Sequence, residues 1–239
     1  MRLQIDREIF ALFPGAQVAA LRVRGADNRG GSAAVEQMLA EEQRRIRREL
    51  GAELGGEPRI ACWRDAYRRF GANPKKHLSS VENLLRRVLA GGALAPINKL
   101  VDLYNLISLR YLVPVGGEDL AAVRGDIDLL RAAPGEPPVL LLGDQAAHAP
   151  HPGEIIYRDA VGAICRRWNW REAERTKLTE GTRDAVLVIE TLPPVGPALL
   201  ASAAHDLALL VEEHCGGQAT VAVAGALHPV VELGDAPAG

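Results

Sequence analysis

Pro96-Ile97-Asn98-Lys99-Leu100-Val101-Asp102-Leu103-Tyr104-Asn105-Leu106-Ile107-Ser108-Leu109-Arg110-Tyr111-Leu112-Val113 reads as one helix from Pro96 to Leu112. Asn98, Asp102 and Asn105 are spaced by four and then three residues. On a helix that spacing stacks them on one face, a turn apart. A solvated face would carry long charged side chains, whereas these are short amides and a carboxylate among Ile97, Leu100, Val101, Leu103, Leu106 and Ile107. Buried without hydrogen-bond partners, each would cost about 1–3 kcal/mol. The helix therefore holds a fixed polar network, either structural or part of a site.

On the N-terminal side, strands are expected near Leu3–Ile5 and at Gln17–Val23, with a helical turn through Ile9–Phe13 between them. Ser32 caps a helix to about Leu50, and Gly55-Gly56 separates it from a helical stretch at Ile60–Phe70. Gly71-Ala72-Asn73-Pro74 is a turn, and Ser79 with Glu82 spells a capping box before a helix at Val81–Ala90. On the C-terminal side the texture becomes short strands at Asp126–Arg131, Val139–Leu142, Gly153–Tyr157, Ala160–Cys165 and Ala185–Thr191. A helix opening at Pro197 and ending at Gly216-Gly217, a last strand at Thr220–Ala224 and a frayed tail at Gly234–Gly239 complete the chain. Helices, then strands, then a returning helix predict one α+β domain over residues 1–239, with mixed β-sheets flanked by helices.

At 239 residues the chain suits one large domain or two small ones. It is 48% hydrophobic but only 4% aromatic, so Leu, Val, Ile and Ala must build the core. A formal charge of −2 argues against an indiscriminate nucleic-acid coat, and DNA is not an expected partner. Basic residues nevertheless cluster: Arg64, Arg68, Arg69, Lys75 and Lys76 in one region, Arg166, Arg167, Arg171, Arg175 and Lys177 in another. After Arg183 there is no Lys or Arg. An anionic partner would meet the first two regions, unless they are ordinary solvated helix faces.

Cys62, Cys165 and Cys215 are widely spaced and give neither a disulfide framework nor a zinc pattern. No run is apolar enough for a signal peptide or a membrane span, so a soluble, cytoplasmic protein without a membrane partner is expected. There is no phosphate-binding glycine loop, no G-x-S-x-G elbow and no H-E-x-x-H. His148 and His151 are close in sequence but sit in a Pro-rich turn, where surface histidines are the simpler reading. Neither a metal nor another cofactor is expected.

From Ile97 to Asn105, and onward through Pro114-Val115-Gly116-Gly117-Glu118-Asp119, Gly125–Glu136 and Gly153–Asp159, the chain resembles the B3/B4 editing module of the phenylalanyl-tRNA synthetase beta subunit. The family pattern runs INxVVDxTNYV, then a loop with His, then a strand ending Gly-Glu. Thr176, Thr179, Thr182 and Glu190 resemble its Thr-rich turn and strand Glu. The resemblance is firmest over residues 96–159 and extends over 67–195. It implies a single B3/B4-like domain that binds aminoacyl-tRNA and hydrolyses a mischarged ester in trans, freeing the amino acid.

Two departures stand out: Tyr104 where the family has Thr, and Gly116 where it has the loop His. The family's Ala-Gly-rich pocket wall falls on Arg167, Trp168 and Arg171. By this resemblance the substrate-binding set is Asn98, Tyr104, Asn105, Gly116, Arg167, Trp168, Arg171 and Glu190. Glu190, which in the family reads the hydroxyl of a misattached tyrosine, is expected to set specificity. Arg167 and Trp168 in place of small residues imply a different amino acid, either smaller, or acidic and paired with Arg167 or Arg171.

Ester hydrolysis needs a positioned water and oxyanion donors more than a strong nucleophile. Asp102 or Asp119 would orient the water, each equally readable as a cap or turn residue. Backbone amides at Gly116-Gly117 would serve as donors. Arg64, Arg68, Arg69, Lys75 and Lys76 would hold tRNA phosphates, or Arg68 and Arg69 form surface ion pairs. Loss of the His and Thr keeps a second reading open, a non-catalytic module binding an amino acid or a tRNA 3′ end. A third is a hydrolase or sensor for a small amide or ester unrelated to tRNA.

Overall fold

A computed structural model describes residues 1–51 and 53–234. The chain opens with β1 (Arg2–Ile5), α1 (Arg7–Leu12) and β2 (Gln17–Arg24). Three helices follow, α2 (Ala33–Glu49), α3 (Pro58–Arg69) and α4 (Ser80–Leu89), with a 3-10 turn at Leu54–Gly56 before α3. The helix quoted above, α5 (Lys99–Tyr111), leads into β3 (Val115–Asp119), β4 (Ile127–Arg131), β5 (Ile155–Arg158), β6 (Ala163–Arg166), β7 (Arg171–Glu172) and β8 (Ala185–Thr191). Then come α6 (Pro197–Cys215), β9 (Gln218–Ala224) and β10 (Val230–Glu232). The tail residues 235–239, for which fraying was expected, lie outside the described residues.

The class is α+β, as expected. A six-stranded sheet has the order β10-β1-β4-β5-β6-β7, and a four-stranded sheet the order β3-β8-β2-β9. β1 runs parallel to β4, and the other named pairings are antiparallel. Period-two alternation divides β8 between two environments. Ala185, Leu187 and Ile189 pack into a core shared with Leu103 and Ile107 of α5 and Ala203 and Leu207 of α6. Val186, Val188 and Glu190 point instead into the space between the sheets.

Several strand expectations need correction. Val139–Leu142 is not a strand; Val139 and Leu141 form single bridges to His148 and Ala173. The strand expected from Ala160 starts at Ala163, because the Asp159 carboxylate accepts the Val161 and Gly162 amides (2.9 and 3.3 Å) and holds a turn there. β3 was not anticipated, since Gly116-Gly117 reads as loop by propensity. The two-residue β7 and the three-residue β10 are likewise absent from the expected strands. At α4 the Ser79 hydroxyl caps the Glu82 amide, but the Glu82 carboxylate is drawn to Arg64 and Arg86 rather than back to the cap.

The polar positions of the α5 stretch separate into two groups. Asn98 is the N-cap, its Oδ1 accepting from the Val101 amide (3.1 Å) and from Asn28 Nδ2 (3.0 Å). Its Nδ2 donates to the Leu178 carbonyl at 3.3 Å. Asn28 reciprocates by accepting the Leu100 amide at 2.8 Å and donating to the Thr179 carbonyl at 2.7 Å. Asp102 accepts the Ile97 amide at 3.0 Å. Asn98 and Asp102 thus fix the start of α5 and dock two loops on it, while Asn105 faces the space between the sheets.

Asn98→Ala would remove a cap and take from the buried Asn28 amide one of its two acceptors. We expect a loss of roughly 2–3 kcal/mol in urea unfolding. An unchanged unfolding midpoint would show that the clasp contributes nothing.

Candidate functional site

Between the two sheets lies a pocket of about 420 Å³. Its walls come from Asn83, Leu84 and Arg87 of α4, Val101, Tyr104 and Asn105 of α5, Val115–Glu118 of β3, Glu172 of β7 and Val186, Val188 and Glu190 of β8. Leu3, Ile127, Tyr157, Ile164 and Cys165 of the six-stranded sheet form the back. The turn joining β6 to β7 supplies Trp168, Asn169 and Trp170.

That turn has unusual backbone. Arg167 and Trp168 both adopt left-handed conformations, with φ of 48° and 66°. Bulky residues there cost of order 1–3 kcal/mol each and persist only where the surroundings over-determine them. Here Trp168 is clamped edge-on by Phe13 (5.0 Å) and Trp63 (5.1 Å), and the Ser80 amide at the start of α4 donates to the Asn169 carbonyl (2.9 Å). Trp170 is flanked by the guanidiniums of Arg167 and Arg171, each 4.5 Å from the ring, and meets the His77 ring edge-on.

Glu190 is fully engaged. It accepts the Tyr157 hydroxyl at 2.7 Å and Asn169 Nδ2 at 2.8 Å, and Asn169 in turn accepts the Tyr67 hydroxyl at 3.0 Å. Burial raises its carboxyl to about 7, against the lowering effect of those donors. Glu172 Oε1 accepts the Gly117 amide at 3.2 Å, and burial raises this carboxyl to about 7 as well. Glu118 is raised well above its usual range by burial and then by the nearby Glu172 charge. The phenols of Tyr104 and Tyr157 are also pushed up by burial.

Of the residues expected at the site, Tyr104, Asn105, Gly116, Trp168, Arg171 and Glu190 line this one pocket. Asn98, Asp102, Asp119 and Arg167 do not. Asp102 caps the Ile97 amide, and Asp119 accepts the Thr182 hydroxyl (2.6 Å) and the Ala121 amide (2.9 Å) as a turn residue. Neither carboxylate is therefore positioned to orient a water in the pocket. The Gly117 amide, expected as an oxyanion donor, is already used by Glu172. Arg167 lies beside Glu154 (3.7 Å), and Arg171 is paired with Asp144 (2.5 Å), so neither of the two arginines expected to pair with an acidic amino acid is free to do so.

The basic set also divides. Arg64 is bidentate to buried Glu82, Arg68 pairs with Asp65, and Arg69 donates to the Leu12 carbonyl. Lys75 and Lys76 are exposed without a side-chain partner among the described residues, just before His77 and the pocket-lining helix α4.

Sequence reasoning missed Glu118, Glu172, Tyr157, Asn169 and Trp170. Glu118 follows the Gly-Gly pair and was passed over as loop. The others come from distant strands and from the β6–β7 turn, and no local spacing announces their convergence.

The B3/4 domain family model matches residues 62–216, and the chain belongs to that family. A search of curated protein sequences gives no match. Among solved structures, one similar chain is an N-terminal fragment of the phenylalanyl-tRNA synthetase beta-subunit from Pyrococcus horikoshii, at 11% identity and a TM-score of 0.46. The alignment covers 91% of this chain and 49% of that fragment, so this chain spans about half its length. No described helix is long and apolar enough to cross a membrane.

Because the folded-state carboxyls of Glu172 and Glu190 lie above their unfolded values, the folded protein holds more protons than the unfolded chain between those limits. Their contribution is complete below the unfolded range near 4.5 and is lost as pH rises through about 7. Asp159 and Glu154 are lowered by Arg175 and Arg166 against the effect of burial, so their contribution is lost only as pH falls through the acid range. The thermal midpoint should therefore fall from about pH 6 to about pH 8, and Glu172→Gln should flatten the decline. A midpoint that climbs over this interval contradicts the assignment.

Proposed function

We propose that this chain binds the aminoacyl end of a charged tRNA in the pocket between the sheets and hydrolyses the ester of a mischarged one in trans. One observation carries this reading. Tyr104 and Asn105 from the helix motif, Gly116 from the following strand and Glu190 from the late strand, far apart in sequence, line a single cavity. Its volume of about 420 Å³ lies within the usual range for small-molecule sites. Membership of the B3/4 family supports the same reading.

The chemistry we assign differs from that expected from sequence. Glu172, with a carboxyl near 7, is the base that takes a proton from the attacking water, since a base works best when its pKa is close to the operating pH. The Tyr104 hydroxyl makes no hydrogen bond among the described residues and donates to the oxyanion, in place of the family Thr. Water adds to the ester carbonyl. Collapse of the tetrahedral adduct breaks the bond to the terminal ribose oxygen, which receives the proton and leaves as the free hydroxyl. Exposed Lys75 and Lys76, with Arg87 on the pocket rim, meet the phosphates.

The non-catalytic alternative draws on a different observation: the Gly117 amide and both Glu190 oxygens are occupied by partners within the protein.

Incubation with a panel of correctly and wrongly charged tRNAs tests the two. We expect release of amino acid from at least one mischarged species, and a loss of about 100-fold with Glu172→Gln while binding persists. Binding without release above the spontaneous rate would establish the module instead. Raising salt from about 50 to 200 mM should weaken tRNA binding, with a shallower slope for a Lys75→Glu, Lys76→Glu double variant. An affinity indifferent to salt would remove phosphate contacts from the account.

A further inference from the structure

The Glu118 and Glu172 wall of the pocket carries more negative charge than its neighbours compensate. Successive residues of a strand point to opposite faces, so Gly116 and Glu118 share one face of β3. A β-carbon on Gly116 would stand 2.7 Å from Glu172 Oε1, so that face looks directly at the Glu172 carboxylate. Both glutamates therefore border the same part of the cavity. Glu118, 8% exposed, has its buried Oε2 without a hydrogen-bond partner among the described residues. Neither glutamate forms an ion pair among the described residues.

The nearby cations are committed elsewhere. Arg175 is bidentate to Asp159 (2.7 and 3.0 Å), and Arg171 is held by Asp144 and by the Trp170 ring. The other titratable or charged groups facing the cavity are Arg87 of α4, Tyr104 of α5, Tyr157 of β5, Cys165 of β6 and Glu190 of β8. Glu190 is buried as well, so the pocket presents three carboxyl groups and no lysine.

Buried carboxyls without counter-ions stay protonated or acquire a partner. The pocket is open to a ligand that supplies one, and it disfavours a ligand carboxylate. Among the described residues no three His, Cys, Asp or Glu side chains converge to hold a metal ion, so an organic cation fits the wall better. The α-ammonium found on every aminoacyl group answers one carboxylate. The second requires another positive group on the same ligand.

We propose that Glu118 and Glu172 select an aminoacyl group whose side chain is cationic, such as a primary amine. This specificity rests on the aminoacyl-binding reading above. It also replaces the smaller or acidic amino acid expected from the Arg and Trp substitutions.

Amino-acid amides, whose neutral carbonyl imitates the ester, test the proposal by titration calorimetry on the whole chain. Lysinamide should bind about tenfold more tightly than norleucinamide, which matches its length without the charge, and an amide with a side-chain carboxylate should bind most weakly. Glu118→Gln imitates the protonated acid and should fold with an unchanged thermal midpoint. It should bring lysinamide to within about threefold of norleucinamide and leave norleucinamide unaffected. Lysinamide binding near neutral pH should also release protons, read as a dependence of the heat on buffer ionisation enthalpy, whereas norleucinamide should release fewer. Equal affinity for lysinamide and norleucinamide overturns cation selection while leaving the aminoacyl pocket in place. No binding of any amide overturns both.

Discussion

A hydrogen bond from the Gly117 amide to Glu172, at 3.2 Å, joins the edges of the two sheets where each would otherwise end. β3 is the edge of the four-stranded sheet and β7 the edge of the six-stranded one. Edge strands expose unpaired amides that need covering. Here the cover is a carboxylate from the opposite sheet, reinforced by the Asp119 amide donating to the Thr176 carbonyl at 2.8 Å. The approach is possible only because residue 116 has no side chain, its missing β-carbon leaving the place that Glu172 Oε1 nearly fills. A β-carbon at Gly117 would also collide with Leu187, at 2.4 Å. The Gly-Gly pair therefore determines how closely the sheets approach and what lies between them. In the register read from the sequence, the glycine that replaces the family histidine also admits the glutamate.

The same arrangement sets the electrostatic character of the pocket. Glu154 and Asp159, equally buried, keep their charge through bidentate arginines, Arg166 at 2.7 and 2.8 Å and Arg175 at 2.7 and 3.0 Å. Glu118, Glu172 and Glu190 have no such partner among the described residues and shift toward the neutral acid. The protein thus spends its internal arginines on the supporting loops and leaves the cavity carboxyls dependent on whatever occupies it. Groups arranged in this way are costly to the apo fold and useful to a site, which is why strongly shifted acids collect in functional clefts.

Helices and long strands were legible from local pattern. Ser32 and Ser79 cap where their spacing says they should, and β2 and β8 read directly from their apolar runs, whereas Asn98, expected within the helix, is its N-cap. Glu190 was reached only through the family resemblance; in the structure it shares the pocket-facing side of β8 with Val186 and Val188. The failures have a common physical cause. β3 and β7 are strands by virtue of their partners, since Gly-Gly and Arg-Glu have no intrinsic preference for the extended state. Asp102 and Asp119 looked catalytic because a short buried carboxylate reads alike whether it caps an amide or holds a water. Glu172 was invisible because its role depends on a contact with Gly117, 55 residues away in sequence.

The back of the pocket is made from residues that also belong to the principal core: Leu3, Ile127, Tyr157, Ile164 and Trp168. Enlarging one of them to reshape the cavity would crowd the protein's interior, and shrinking one would open a void in it. Asn83 and Arg87 on the exposed face of α4, and Asn105 and Arg171 on the opposite rim, carry no such obligation. Diversification of ligand preference within this scaffold is therefore channelled to the rim, while the rear wall is held constant by the demands of folding alone.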